Sequence, residues 1–296
     1  MMASVAFTGC VSDDGDDTDV DDTVDPVGTE STSTLDTVIA RGSLKCGVKD
    51  SQYGMGYLEA DGTYTGLDIE YCKAVAAAIG VDTIEYVLAT GSNRFELLAS
   101  EEIDVLIRTT TWTTSRDADL NADFAGINFY DGQGILVNTD AYETAPTSAL
   151  QLDGAKICVG IGTTTEGNMA DYFAVNDMTY EAVNSDDAAT AKAQFEDGSC
   201  DAWTGDMSAM VAQKFGLDTA AVPNSAIMPE LLSKEPLAAA TRDNDDDWND
   251  VVTWVWYGML TAEELGIDSN NYGAAAAECD DTGDPYVCRL LTQNLG

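Results

Sequence analysis

The stretch Asp104-Val-Leu-Ile-Arg-Thr-Thr-Thr-Trp-Thr-Thr-Ser-Arg-Asp117 opens as a short apolar strand and then turns abruptly to hydroxyls ending in an arginine. The pattern predicts a strand over Val105, Leu106 and Ile107, a tight loop, and a helix whose first turn carries Thr113, Thr114 and Ser115. Hydroxyls are favoured there because their oxygens accept from the unpaired N–H groups of a first helical turn. Those N–H groups and the helix dipole together favour an anion. Arg116 adds a planar fork that can hold a carboxylate through two parallel hydrogen bonds. The segment reads as a carboxylate cradle at the carboxyl end of a strand, although alone it is equally a polar turn with Arg116 in an ordinary salt bridge.

A second stretch repeats the design. Lys156-Ile-Cys-Val-Gly-Ile-Gly-Thr-Thr-Thr-Glu-Gly-Asn-Met-Ala-Asp-Tyr-Phe173 runs from an apolar strand through a Gly-Thr loop into a helical pattern. Thr163 with Glu166 fits a capping box, which marks a helix start. Two strand-to-helix anion sites suggest two sheets facing one ligand. A third element, Cys200-Asp-Ala-Trp-Thr-Gly-Asp206, is a strand ending in a carboxylate. An arginine for an α-carboxylate and an aspartate for an α-ammonium describe a free amino acid.

Working outward, residues 35–40 read as a helix and 44–48 as the first strand. Apolar residues at helical spacing (Ile69, Cys72, Val75, Ala76, Ile79) follow, ending at Gly80. Strand, helix and strand then occupy 84–88, 94–100 and 103–107, an alternation that indicates a parallel α/β sheet. Residues 129–138 form a long extended segment, taken as a crossing into a second lobe. That lobe repeats the alternation with strands at 156–161, 179–183 and 201–205 and helices at 165–175 and 187–196. The chain returns near 231–236, and residues 248–260 form an apolar helix whose Trp254, Trp256 and Tyr257 are expected to pack on lobe one.

The chain of 296 residues carries 53 acidic against 13 basic side chains, a net charge of −40. Such a balance argues against nucleic acid and against anionic lipid headgroups as partners. It suits a highly hydrated surface in salty water, where screening weakens self-repulsion. The absence of histidine removes Ser-His-Asp and Cys-His catalysis along with the commonest metal ligand. No metal or cofactor is expected, and no Gly-x-x-x-x-Gly-Lys-Ser/Thr loop is present to bind ATP.

In this order the motifs resemble the extracellular solute-binding proteins (family 3) of polar amino-acid ABC transporters, and more closely their general L-amino-acid subgroup. The carrying strings are Thr65-Gly-Leu-Asp-Ile-Glu-Tyr-Cys72, Arg94-Phe95, residues 108–117, Asn128-Phe-Tyr-Asp-Gly-Gln-Gly134, Gly162-Thr-Thr-Thr-Glu166, Ser233-Lys-Glu-Pro-Leu237 and Ala262-Glu-Glu-Leu-Gly266. The resemblance implies an α/β, two-lobed, type II periplasmic-binding-protein-like clamshell, each lobe a sheet flanked by helices, closing on its ligand by a hinge. It implies lobe one at 35–130, lobe two at 131–233 and a return to lobe one at 234–296. It also implies a monomeric receptor that does no chemistry and delivers free L-amino acids to an ABC permease with a cytoplasmic ATPase. Carried over by residue, Arg116 clamps the α-carboxylate with Thr111 and Thr164 assisting, and Thr163 lies in the same cradle. Thr109 and Asp206 receive the α-ammonium, and Tyr53 or Tyr57 stacks on the ligand. Arg94 and Arg108 stand where the ligand side chain points and favour Glu, Gln, Asp or Asn, with an ordinary salt bridge the alternative for Arg108. The same fold resembles cyclohexadienyl dehydratases and receptor sensor modules, the two rival readings.

The ends follow the same logic. Residues 1–10 resemble a shortened lipoprotein signal ending at Cys10, the acylated residue. Residues 11–34, rich in Asp, Ser, Thr and Gly, read as an acidic disordered tether. The only expected membrane contact is therefore a lipid anchor, on the periplasmic or extracellular face. The end of the chain, soon after Cys279 and Cys288, is expected to be a C-terminal truncation relative to the subgroup. Six cysteines besides Cys10 allow 15 pairings. The strand-helix layout favours Cys46–Cys72 and Cys158–Cys200, and Cys279–Cys288 would close a small loop.

Overall fold

The computed structural model describes residues 33–277, 279 and 284–291. Cys10 and the segment to residue 32 lie outside them. Ser33 and Thr34, assigned to the tether by sequence, belong to the folded body. Ser33 caps helix α1 (Thr34–Arg41), accepting from the N–H of Asp36, and Thr34 is buried.

Along the chain come β1 (Ser43–Val48), a small meander of β2 (Ser51–Gln52), β3 (Gly56–Leu58) and β4 (Tyr64–Thr65), then α2 (Leu67–Ala78) and β5 (Thr83–Leu88). Next are α3 (Arg94–Ala99), β6 (Val105–Thr111), α4 (Thr114–Asp119) and β7 (Ala122–Asp131). The second lobe contains β8 (Gln133–Asn138), β9 (Ala155–Gly160), α5 (Thr164–Val175), β10 (Tyr180–Ser185), α6 (Ala188–Glu196), β11 (Ala202–Asp206), α7 (Met207–Phe215) and β12 (Ser225–Ile227). Finally β13 (Glu235–Arg242), α8 (Asp246–Glu264), α9 (Tyr272–Ala277) and α10 (Pro285–Arg289) follow.

Two five-stranded sheets result, ordered β5-β1-β6-β13-β7 and β10-β9-β11-β8-β12. The parallel sheet expected from sequence is in each case mixed. In the first, β13 runs antiparallel to both β6 and β7; in the second, β8 is antiparallel to β11. The reason is topological: a chain that leaves lobe one and returns must re-enter its sheet from the far side. The crossings are short, with β7 ending at Asp131 in one sheet and β8 opening at Gln133 in the other.

Each sheet is packed on both faces. The larger core of lobe one gathers Leu44, Val48, Ile69, Val75, Val105, Ile107 and Trp248 between β1, β6, α2 and α8. Leu98, Ile103 and Leu106 fill the opposite face. In lobe two the faces are built around Val159 and Phe173 on one side and Phe195 and Trp203 on the other. Indole nitrogens tie α8 to lobe one, Trp248 donating to the Asp104 carbonyl (2.9 Å) and Trp256 to that of Ile127 (2.9 Å). Trp254 does not join them. It is 67% exposed, because helical periodicity turns it away from the face that buries Trp248, Val252 and Trp256.

Disulfides link Cys46 to Cys72, Cys158 to Cys200 and Cys279 to Cys288. The first staples β1 to α2 and the second β9 to the entry of β11, each contributing about 2–4 kcal/mol. Gly66 caps α2 at φ +117°, where a side chain would place its Cβ 2.1 Å from the Met55 carbonyl oxygen. Gly66→Ala is therefore expected to destabilise the chain by about 3 kcal/mol or more, measured as a fall in the urea midpoint with an unchanged slope.

Candidate functional site

The charged strand ends meet between the lobes. A cavity of about 170 Å³ is walled on the lobe-one side by Lys49, Arg94, Arg108, Thr109, Thr111 and Arg116, and on the lobe-two side by Thr163, Thr164 and Asp206. Strand β6 is longer than the apolar run Val105–Ile107 suggested, since ladder pairing continues through Thr111. Thr109 interrupts it at φ +45°, an outlying conformation for a β-branched residue. Its N–H donates to Asp68 Oδ2 (3.1 Å), which holds the backbone there. The kink breaks the usual alternation of a strand, so Arg108 and Thr109 both line the cavity although they are neighbours.

The cations are held apart from counter-charges. Arg94, Arg108 and Arg116 are all buried, and none forms an ion pair among the described residues. The Nε atoms of Arg94 and Arg108 are buried with no hydrogen-bond partner. Arg94 donates from Nη2 to the Gly162 carbonyl across the cleft (3.2 Å), and Arg116 from Nη1 to the Thr111 carbonyl (2.9 Å). Phe95 lies between them, its centroid 5.2 Å from the Arg94 guanidinium carbon and 5.8 Å from that of Arg116. Burial pushes all three arginines down, Arg108 to about 10 and Arg94 well below its ordinary value, with the neighbouring arginines adding to the effect on Arg94 and Arg108. At neutral pH the guanidinium groups remain charged. The salt bridge that sequence left open for Arg108 is absent.

Asp206 is the opposing group. It stands at the start of α7, yet its carboxylate makes no capping bond there. Burial raises its pKa, while Lys49 and Arg108 pull it back. Thr109 Oγ1, beside it in the wall, is also buried without a partner. Thr163 is engaged in local structure, its Oγ1 accepting from the Glu166 N–H (3.3 Å) and donating to the Gly160 carbonyl (2.7 Å). Tyr53 and Tyr57 do not line the cavity. They stack on each other at 3.7 Å, and Tyr53 meets Phe215 of lobe two edge-on at 5.7 Å, forming an aromatic contact at the cleft mouth.

Two residues without a role in the sequence reading are central here. Lys49 closes the wall after β1 and donates to Gln52 Oε1 (2.6 Å), whose amide nitrogen donates to Ser208 Oγ of lobe two (2.8 Å). Glu235, 1% exposed at the start of β13, ties the lobes together. It accepts from Thr111 Oγ1 (2.5 Å) in lobe one, from Thr164 Oγ1 (2.8 Å) and Asn168 Nδ2 (2.8 Å) in lobe two, and from Ser233 Oγ. A hydroxyl has one proton. With it given to Glu235, Thr111 and Thr164 offer the cavity lone pairs only. A signal for Glu235 was present in Ser233-Lys-Glu-Pro-Leu237, a charge beside the proline where the chain re-enters lobe one. The backbones also touch, and a Cβ on Gly91 would lie 2.7 Å from the Ile161 carbonyl oxygen.

Two sheet-and-helix lobes shut on a charged cavity define a two-lobed ligand-binding protein. Residues 44–265 match the pattern of the bacterial extracellular solute-binding proteins, family 3, and the chain belongs to that family. It is 46% identical over 269 residues to the glutamate/glutamine/aspartate/asparagine-binding protein BztA of Rhodobacter capsulatus, covering 89% of this chain and 76% of that one. It is 41% identical to the general L-amino acid-binding periplasmic protein AapJ of Rhizobium johnstonii, covering 88% and 74%. A solved ABC transporter/periplasmic binding protein from Brucella ovis with glutathione bound superposes with a TM-score of 0.81 at 42% identity, covering 88% and 80%.

Glu235→Ala would strip the acceptor from four donors at the lobe boundary. The variant is expected to lose about 1–3 kcal/mol of stability and to sample wider cleft openings, seen as a larger radius of gyration in small-angle scattering.

Proposed function

We propose that this chain is an extracytoplasmic receptor that captures free L-amino acids, preferring acidic and amide side chains, and hands them to an ABC permease driven by a separate ATPase. One observation carries the reading: three buried guanidiniums without a carboxylate partner line the same cavity as an uncapped aspartate. Buried charges are costly unless paired, and a zwitterion supplies both missing signs at once. Arg116 binds the α-carboxylate. Asp206, with the lone pairs of Thr109, Thr111 and Thr164, receives the α-ammonium. Arg94 and Arg108 meet the polar end of the side chain.

The names of the Rhodobacter and Rhizobium relatives support the ligand class. The protein acts as a binder rather than an enzyme, since its charges complement the two ends of an amino acid and leave no bond of it to be broken. It works as a monomer held to the outer face of the membrane through acylated Cys10 and the acidic segment that follows. No helix among the described residues is long and apolar enough to cross a membrane.

The test is calorimetric titration of the full chain with the twenty L-amino acids, wild type beside Arg116→Ala. Saturable binding of glutamate, glutamine, aspartate and asparagine is expected. Arg116→Ala should cost about 2–5 kcal/mol, a loss of roughly thirtyfold or more, while circular dichroism stays unchanged. A folded protein that binds no amino acid, or that turns over prephenate or arogenate, would sink the receptor reading.

A further inference from the structure

Lys49 is the one cation of the cleft that sequence gave no role, and its surroundings change when the cavity fills. Its Nζ is bonded to Gln52 alone, and Gln52 is itself fixed across the cleft by Ser208 and, through Ser208, by Asp131. Around it stand Arg94 of α3 and Arg108 of β6 as like charges, and Asp68 of α2 and Asp206 of β11 as opposite ones. Asp68 is already committed, accepting from the Thr109 N–H (3.1 Å) and from Asn128 Nδ2 (3.4 Å). Asp206 is therefore the counter-charge that Lys49 leans on most, and under the proposed function it is the carboxylate that the ligand ammonium takes over.

A ligand ammonium at Asp206 would leave Lys49 among Arg94, Arg108 and a new positive charge. Two outcomes restore balance. Either Lys49 gives up its proton, or the ligand brings a second carboxylate. We propose that Lys49 is the residue that lets one cavity accept both acidic and amide side chains: as an ammonium it binds the distal carboxylate of a dicarboxylic amino acid, and as a free amine it accepts from the side-chain N–H of an amide. The proton is exchanged with solvent, so the two ligand classes are told apart by proton count rather than by a rearranged wall. This rests on the amino-acid receptor reading above.

The energetics place the switch in reach. Burial, helped by Arg108, pushes Lys49 down to about 7, so near neutrality both forms are populated. A distal carboxylate favours the charged form and raises that value on binding. The complex then holds more protons than the free protein, and affinity falls as pH rises through about 7. An amide ligand that displaces Lys49 from Asp206 lowers the value, releases protons, and gains affinity over the same range.

Calorimetric titration of the full chain with L-glutamate and L-glutamine at pH 7, in two buffers of different ionisation enthalpy, reads the proton count directly. Glutamate is expected to take up, and glutamine to release, up to about half a proton each, the limit for one group half-titrated at that pH. Lys49→Met should abolish the difference in sign. Lys49→Arg, permanently charged, should keep glutamate binding from pH 6 to 9 and weaken glutamine by about tenfold or more. Equal proton exchange for the two ligands in the wild type, or a difference that persists in Lys49→Met, would overturn the assignment and leave the receptor standing. Failure of the folded wild type to bind either ligand would remove both.

Discussion

A guanidinium taken out of water has to find negative charge or lose much of its reason to be buried, and this cleft buries three of them without giving any a carboxylate. The rest of the architecture follows from that imbalance. Four of the chain's 13 basic residues line a single cavity, in a protein whose net charge is −40. The lobes that bring them together are held by neutral donors meeting one buried carboxylate, Glu235, and by contacts such as Arg94 to the Gly162 carbonyl. These contacts spend few of the guanidinium donors. The closed cleft thus keeps its strongest recognition groups uncommitted, while weaker neutral bonds supply the geometry.

Much of this was legible in the sequence, because strand ends and helix caps have local signatures. The Gly-Thr loop at 162–164, the Thr163 cap and the alternation of elements needed only nearest-neighbour chemistry, and the structure has Thr163 accepting from Glu166 as the capping pattern implies. The reciprocal bond is displaced by one residue: Glu166 accepts from the N–H of Gly162 rather than of Thr163. What was illegible depends on contacts far apart in the chain. Glu235 meets Thr111 across 124 positions, and Lys49 acquires meaning only beside Arg108 and Asp206. The tyrosines failed for a different reason. Their loop carries a meander that stacks Tyr53 on Tyr57 outside the cavity, and loop conformation is poorly encoded by residue type. Sheet polarity was misread because β13 and β8 are single strands whose direction is set by where the chain crosses.

The acidic exterior and the cationic cavity act at different ranges. Beyond roughly 8–10 Å in physiological salt, an approaching anion experiences little of either. Inside that distance the surface repels it and the cleft attracts it. Entry of a dicarboxylic ligand should therefore quicken as salt rises and surface repulsion is screened, while the buried contacts that hold it are screened far less. For a chain this acidic, salt favours capture and leaves retention nearly untouched.

The three disulfides pair cysteines that are consecutive along the described chain: 46 with 72, 158 with 200, 279 with 288. No bridge encloses or interleaves with another, and none spans the two lobes. For a chain that emerges from a membrane N-terminus first and is oxidised as it emerges, each of these cysteines meets its own partner before the next pair appears. Correct connectivity is then the outcome of arrival order, without reshuffling through mixed disulfides. The arrangement also survives the discontinuity of lobe one, because β1 and α2 are fastened long before β13 returns to complete their sheet.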